Sequence, residues 1–229
     1  SYAMAARRYM HEYGEDRTRQ AMAEIAVSTR KWANLNPMAY FYDKTTSFDD
    51  YHDSRWVAWP FHLLDCCLVT DAGAAIVITT PERARDAKNG SVTILGAGEG
   101  HDHSMISQMP DLTRAFGRNT GPQAIEMAGV SHSDLDLAMI YDSFTYTVLV
   151  TLENLGFCGP GEGPDFVASQ RTAPGGDFPL NTNGGGLSYT HPGMYGIFLI
   201  VEAVRQLRGE TGERQLKEPK LSLVNGTGG

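Results

Sequence analysis

The residues most able to do chemistry lie between Asn181 and Tyr195, in the run NTNGGGLSYTHPGMY. Turn-forming residues and three successive glycines lead into Tyr189 and His191, and Pro192 and Gly193 follow. At Gly185 and Gly186 a bare backbone can come closer to a bound molecule than any residue with a side chain permits. Apolar residues then recur at Ile197, Ile200, Val201, Val204 and Leu207, spaced for one helical face and closed by Gly209. An imidazole in a Gly/Pro-rich loop at the mouth of a buried helix reads as a site. Tyr189 and Tyr195 flank it, and each could face a substrate or pack beneath the loop.

A second group, Tyr141-Asp142-Ser143-Phe144, falls where a strand gives way to a helix. Ligands of open α/β sheets bind beyond the carboxyl ends of strands. Asp142 or Ser143 is expected to cap the helix that follows, as those residue types favour. Tyr141 fits a core or a site equally on its own residue type. Other candidates carry less. Gly96-Ala97-Gly98-Glu99-Gly100 lacks dinucleotide-binding spacing and reads as a turn, so no nicotinamide cofactor is expected. His101-Asp102-His103 has no further ligand at a recognised spacing and reads as a solvated loop rather than a metal site.

Four ordered segments, Leu63 to Thr79, Ile140 to Gly163, Pro174 to Gly193 and Leu223 to Gly229, resemble the thiolase superfamily in its sterol-carrier, lipid-transfer-type branch. The resemblance runs nearly end to end. It implies a thiolase-like α/β fold, a mixed sheet covered by helices, of which this chain supplies mainly the C-terminal half. On that basis residues 1–80 form a helical connecting region with the end of the first half-fold, and residues 81–229 the second half-fold. The resemblance casts His191 as the histidine of the family's GHP loop, an imidazole that can hold a thioester oxyanion as it forms. Tyr141 stands where the family has Asn or His, so HDCF reads YDSF, and Thr190 stands where it has Gly. The late catalytic Cys is not evident in Asn225 to Gly229, and the nucleophilic Cys would precede this sequence. These departures are similar to those of aldolases that cleave steroid side chains linked to coenzyme A. They imply retro-aldol cleavage of a β-hydroxyacyl-CoA, with Tyr141, Tyr189 or Tyr195 as acid/base candidates. They also imply no cofactor beyond the coenzyme A of the substrate, a homodimer, and an OB-fold, zinc-ribbon acyl-CoA-binding partner. An ordinary thiolase, transferring acyl groups, and a non-catalytic acyl-CoA-binding subunit remain the alternatives.

The elements that must position these residues read as α/β alternation. Helices are expected at Tyr2 to Tyr13 and Thr18 to Ala33, the latter with Ala21, Ile25 and Trp32 on one face. Strands are expected at Ala74 to Thr79, Ser91 to Ala97, Leu135 to Tyr141 and Leu221 to Asn225. Helices are expected from Pro81, at Gly121 to Ala128 and at Thr145 to Leu155. Asn34 to Pro60, rich in aromatics and acids and with little periodicity, reads as a functional or interface excursion or, equally, as a loop whose rings plug the surface.

The 229 residues are 41% hydrophobic, enough for a packed core, and contain nothing resembling a membrane span. Twenty-seven acidic against 19 basic residues give a net charge of −8, which disfavours broad contact with nucleic acid. An anionic acyl-CoA would need a local basic patch or a partner to receive its phosphates. The three cysteines, Cys66, Cys67 and Cys158, cannot all pair and suit the reducing environment of the cytoplasm.

Overall fold

The computed structural model describes residues 1–227, so Gly228 and Gly229 of the terminal glycine loop lie outside the described residues. Helices α1 (Tyr2–Tyr13) and α2 (Glu15–Ala33) open the chain, and α3 (Phe48–Asp53) follows. A short antiparallel hairpin joins β1 (Trp56–Ala58) and β2 (Phe61–His62). Beyond α4 (Pro81–Ala84) and α5 (Gly117–Ala128), β3 (Leu137–Ile140) leads into α6 (Thr145–Asn154). The chain continues through α7 (Gly163–Val167) and α8 (Gly196–Arg208) to β4 (Ser222–Asn225).

Strand β3 is the centre of the arrangement. Its sequence, LAMI, is apolar without alternation, as a strand covered on both faces must be. Leu137 and Met139 pack against Tyr195, Phe198, Leu199 and Ala203 around α8. Ala138 and Ile140 join the larger core that contains α2 and α6. Along one edge β4 pairs in parallel, Leu137 opposite Ser222 through Ile140 opposite Asn225. Along the other, Leu180 bridges to Ala138, and the Asn181 side chain accepts from the Ile140 N–H at 2.8 Å. The Leu180–Asn181 backbone thereby lies against β3, which sets the glycine-rich loop beside Tyr141 at the strand's carboxyl end.

Helix α2 is enclosed because it packs against α1, α6 and α7 at once. Ala21, Ile25 and Trp32 are all buried, and the Trp32 indole N–H donates to the Thr172 carbonyl at 2.8 Å. Helix α8 ends as the sequence indicates, with Gly209 in the left-handed conformation at φ 74°.

Two expected strands are absent. Ala74 to Thr79 and Ser91 to Ala97 enter no ladder, and Val77, Ile78 and Ile94 stand largely exposed. Apolar composition alone does not make a strand: neither run hydrogen-bonds to β3, whose edges are held by β4 and Leu180. The second run lies against α5 instead, where a Cβ on Gly96 would sit 2.2 Å from the Ala124 carbonyl oxygen. The Asn34 to Pro60 excursion is also more regular than expected. A reciprocal Ser47–Asp50 capping box starts α3, and the fully buried Tyr51 donates to Asp65 at 2.7 Å. Neither Asp142 nor Ser143 caps α6: Phe144 occupies the cap position, its N–H donating to Thr147 Oγ1 at 3.1 Å.

Candidate active site

Three segments meet at the carboxyl end of β3: Tyr141 to Ser143, the loop from Asn181 to Tyr195, and the extended Cys66 to Thr70. The last stitches the other two together. The Cys67 N–H donates to the Ser143 carbonyl at 3.0 Å and the Leu68 N–H to the Gly186 carbonyl at 2.9 Å. The His191 N–H donates to Thr70 Oγ1 at 2.8 Å, and the Thr70 and Thr190 hydroxyls share a hydrogen bond of the same length. Thr190, standing in place of the glycine expected there, thus supplies a side-chain anchor for the histidine loop.

Tyr141 and His191 are in direct contact. The phenol oxygen lies 2.9 Å from His191 Nε2 and 3.1 Å from the Gly193 carbonyl, with the two rings edge-on at 5.5 Å. A phenol has one proton, so two arrangements satisfy this geometry. Either the phenol donates to Gly193 and accepts from Nε2–H, or it donates to an unprotonated Nε2. Both groups are neutral at neutral pH, for one physical reason. Burial disfavours charge, pushing the imidazole below its ordinary value and the phenol above its own. An unprotonated Nε2 can accept the phenol's proton when the phenol oxygen takes up another in the same step.

The other two tyrosines are placed differently. Tyr195 is fully buried, stacks on His191 and Phe198, and donates its hydroxyl to Asn183 Oδ1 at 3.1 Å. Burial raises it well above the usual phenol range. Tyr189 turns away to pack edge-on against Phe198 of α8. The structure therefore brings Tyr141, His191 and Tyr195 together as a ring cluster and leaves Tyr189 on the α8 side.

Gly185 to Tyr189 form a single π-turn, a local widening frequent at functional sites. Gly185 and Gly186 are buried, and their N–H groups donate to Asn183 Oδ1 at 2.9 Å and Asp142 Oδ1 at 2.6 Å. A Cβ on Gly185 would lie 2.0 Å from Asp142 Oδ2, and one on Gly186 would lie 2.8 Å from His191 Cδ2. Glycine is thus required here by the closeness of the protein's own carboxylate and imidazole, with or without a ligand. Sequence reasoning missed Asp142, whose placement in YDSF suggested only a cap. It missed Thr70 as well, and nothing in the local sequence marks that residue.

The three cysteines are free and half-buried. Burial pushes Cys66 and Cys67 up to about 11 and Cys158 to about 12, so all three are protonated and poor nucleophiles. His103 is hydrogen-bonded to Asp102. No group of three or more His, Cys, Asp or Glu among the described residues could hold a metal ion. No described helix is long and apolar enough to cross a membrane.

Residues 98–229 match the thiolase C-terminal domain-like family. The chain is 41% identical to a steroid side-chain-cleaving aldolase of Thermomonospora curvata, over 99% of this chain and 58% of that protein. It is 42% identical to a 17-hydroxy-3-oxo-4-pregnene-20-carboxyl-CoA lyase of Mycobacterium tuberculosis, over 99% of this chain and 59% of that protein. The solved structure of the Ltp2-ChsH2(DUF35) aldolase superimposes with a TM-score of 0.83 at 40% identity, covering 95% of this chain and 57% of its own. The chain thus spans under two thirds of the length of each of these relatives.

Proposed function

Because the chain belongs to the thiolase family through its C-terminal domain-like portion, we propose that it is part of a carbon–carbon lyase that cleaves β-hydroxyacyl-CoA thioesters by retro-aldol chemistry. The contact between Tyr141 and His191 at 2.9 Å carries this reading. Tyr141 Oη takes the proton of the substrate β-hydroxyl while passing its own to His191 Nε2. The Cα–Cβ bond breaks, the former hydroxyl carbon leaves as a ketone, and the bonding electrons enter the thioester as an enolate. The imidazolium formed beside it balances that charge. Return of the proton through Tyr141 to Cα completes a shortened acyl-CoA and restores both side chains. Tyr195 holds the imidazole face and Thr70 its backbone.

A steroid or other lipid side chain is the proposed acyl group, in keeping with the names of the two relatives above. An OB-fold, zinc-ribbon acyl-CoA-binding protein is proposed as partner, on the support of a solved relative whose name joins two components. Homodimerisation and a cytoplasmic location belong to the same proposal. Exposed Val77, Ile78, Ile94 and Leu95 offer apolar surface for a subunit or further chain to cover, and three free thiols suit a reducing compartment. The test is Tyr141→Phe in the full chain. It keeps the ring and removes the proton carrier, so cleavage falls by roughly 10²–10⁴-fold with unchanged folding. Wild-type turnover in that variant would remove Tyr141 from the mechanism.

A further inference from the structure

Asp142 is fully buried beside the reacting pair, yet it touches neither Tyr141's phenol nor His191's ring nitrogens in any hydrogen bond of the site. We propose that Asp142 is a positioning residue, whose carboxylate sets the Tyr141–His191 geometry by gripping the π-turn between them. The inference rests on the lyase reading for its catalytic meaning, and on geometry for the grip itself.

The carboxylate is bidentate toward the turn. Oδ1 accepts from the Gly186 N–H at 2.6 Å and Oδ2 from the Leu187 N–H at 3.1 Å. Asp142 is the residue after Tyr141, so its carboxylate ties the backbone that carries the phenol to the turn. The turn it holds continues through Tyr189 and Thr190 into His191, and Gly186 lies directly against the imidazole carbon Cδ2. One buried group therefore connects the backbone of both reacting side chains. Arg30 of α2 also holds the turn, donating Nε–H to Ser188 Oγ at 2.9 Å, but Asp142 is the group that ties it to the residue beside Tyr141.

Bidentate acceptance is strongest from an ionised carboxylate, since protonation makes one oxygen a hydroxyl and a weaker acceptor. The titratable groups facing Asp142 are Tyr141 beside it, His191 across Gly186, Cys67 from the extended segment and Tyr195 at the start of α8. None is a cation while His191 is neutral, so burial dominates and lifts Asp142 to about 7 despite the two N–H donors. The grip is complete above that value and loosens below it.

The experiment follows the imidazole signals of His191 by NMR in selectively ¹⁵N-histidine-labelled full chain between pH 5 and 9, with kcat and KM measured in parallel. In the wild type His191 senses an inflection near 7, distinct from its own protonation at lower pH, and kcat rises through the same inflection. In Asp142→Asn that inflection vanishes from both profiles. In that variant kcat falls about 10- to 100-fold, the scale of a small misplacement of reacting groups, while KM changes little. If Asp142→Asn fails to fold, the wild-type titration decides alone. A wild-type His191 signal with no inflection near 7, or an Asp142→Asn variant with wild-type signals and kcat, would overturn the proposal. Wild-type protein that shows the inflection but cleaves no thioester would leave the grip standing and refute the lyase reading instead.

Discussion

Tyr141 and His191 owe their usefulness to burial acting on them in opposite senses. The imidazole is held below its usual range and the phenol above its own, so neither is charged when substrate arrives. The relay needs His191 unprotonated. In Asp142→Asn, which lacks the step near 7, the remaining cleavage should therefore persist to a pH below the ordinary histidine range and be lost as pH falls through the lowered value, as the acid limb of that variant's kcat profile would show. In that variant an acid limb at or above about 6.5, the unperturbed value, would mean the imidazole is not the group that titrates. Much of this was visible in the sequence. His191 stood out because glycines and a proline frame it, and Tyr141 because it stands where the family tetrad has Asn or His. What the sequence could not separate was Tyr195 from Tyr189, because spacing does not say which phenol packs beside the imidazole. Asp142 was misread for a related reason. A carboxylate at a strand–helix junction suggests a cap, whereas its partners lie 44 and 45 residues away.

At the scale of elements, the helices were legible because their apolar period and their stops are local properties. The runs Ala74 to Thr79 and Ser91 to Ala97 were misread because a strand is completed by a neighbour, which local composition cannot supply. The same dependence on distant neighbours fixes the π-turn. Gly185 has φ 61° and no room for a side chain, so Gly185→Ala should cost at least ~2 kcal/mol through strain and displacement of Asp142. Urea denaturation measures that loss, and an unperturbed midpoint would show that the turn yields freely. Helix α8 is anchored by a buried pair in which Arg214 donates Nε–H and Nη2–H to the two Glu202 oxygens at 2.9 and 3.0 Å. Thr182 at the start of the glycine-rich loop donates to the same carboxylate at 2.9 Å. Removing the cation with Arg214→Met strands a buried charge, and about 3–5 kcal/mol of stability should go with it. A loss under 1 kcal/mol would mean that the pair is not what ties α8 to the loop.

For the molecule as a whole, the buried carboxylate that orders the site opposes the stability of the fold. Asp142 is lifted to about 7 in the folded chain, against roughly 3.9 when unfolded. Between those values the folded state holds a proton that the unfolded state has released. Its contribution to stability is therefore full below about 4 and is lost as pH rises through 7, about 4 kcal/mol in all. Asp142→Asn should flatten that part of the stability–pH curve, and a slope unchanged from wild type would assign it to other groups. Such a trade of stability for a prepared site is common where function needs a strained or charged interior. The central claim, however, is carbon–carbon cleavage without an acyl acceptor. The direct measurement supplies the full chain with a β-hydroxyacyl-CoA bearing a steroid side chain, omits free coenzyme A, and identifies products by mass. Retro-aldol chemistry predicts equal amounts of a ketone and a shortened acyl-CoA, and their loss in Tyr141→Phe. Turnover that appears only when free coenzyme A is added, with acyl transfer in place of a released ketone, would contradict it.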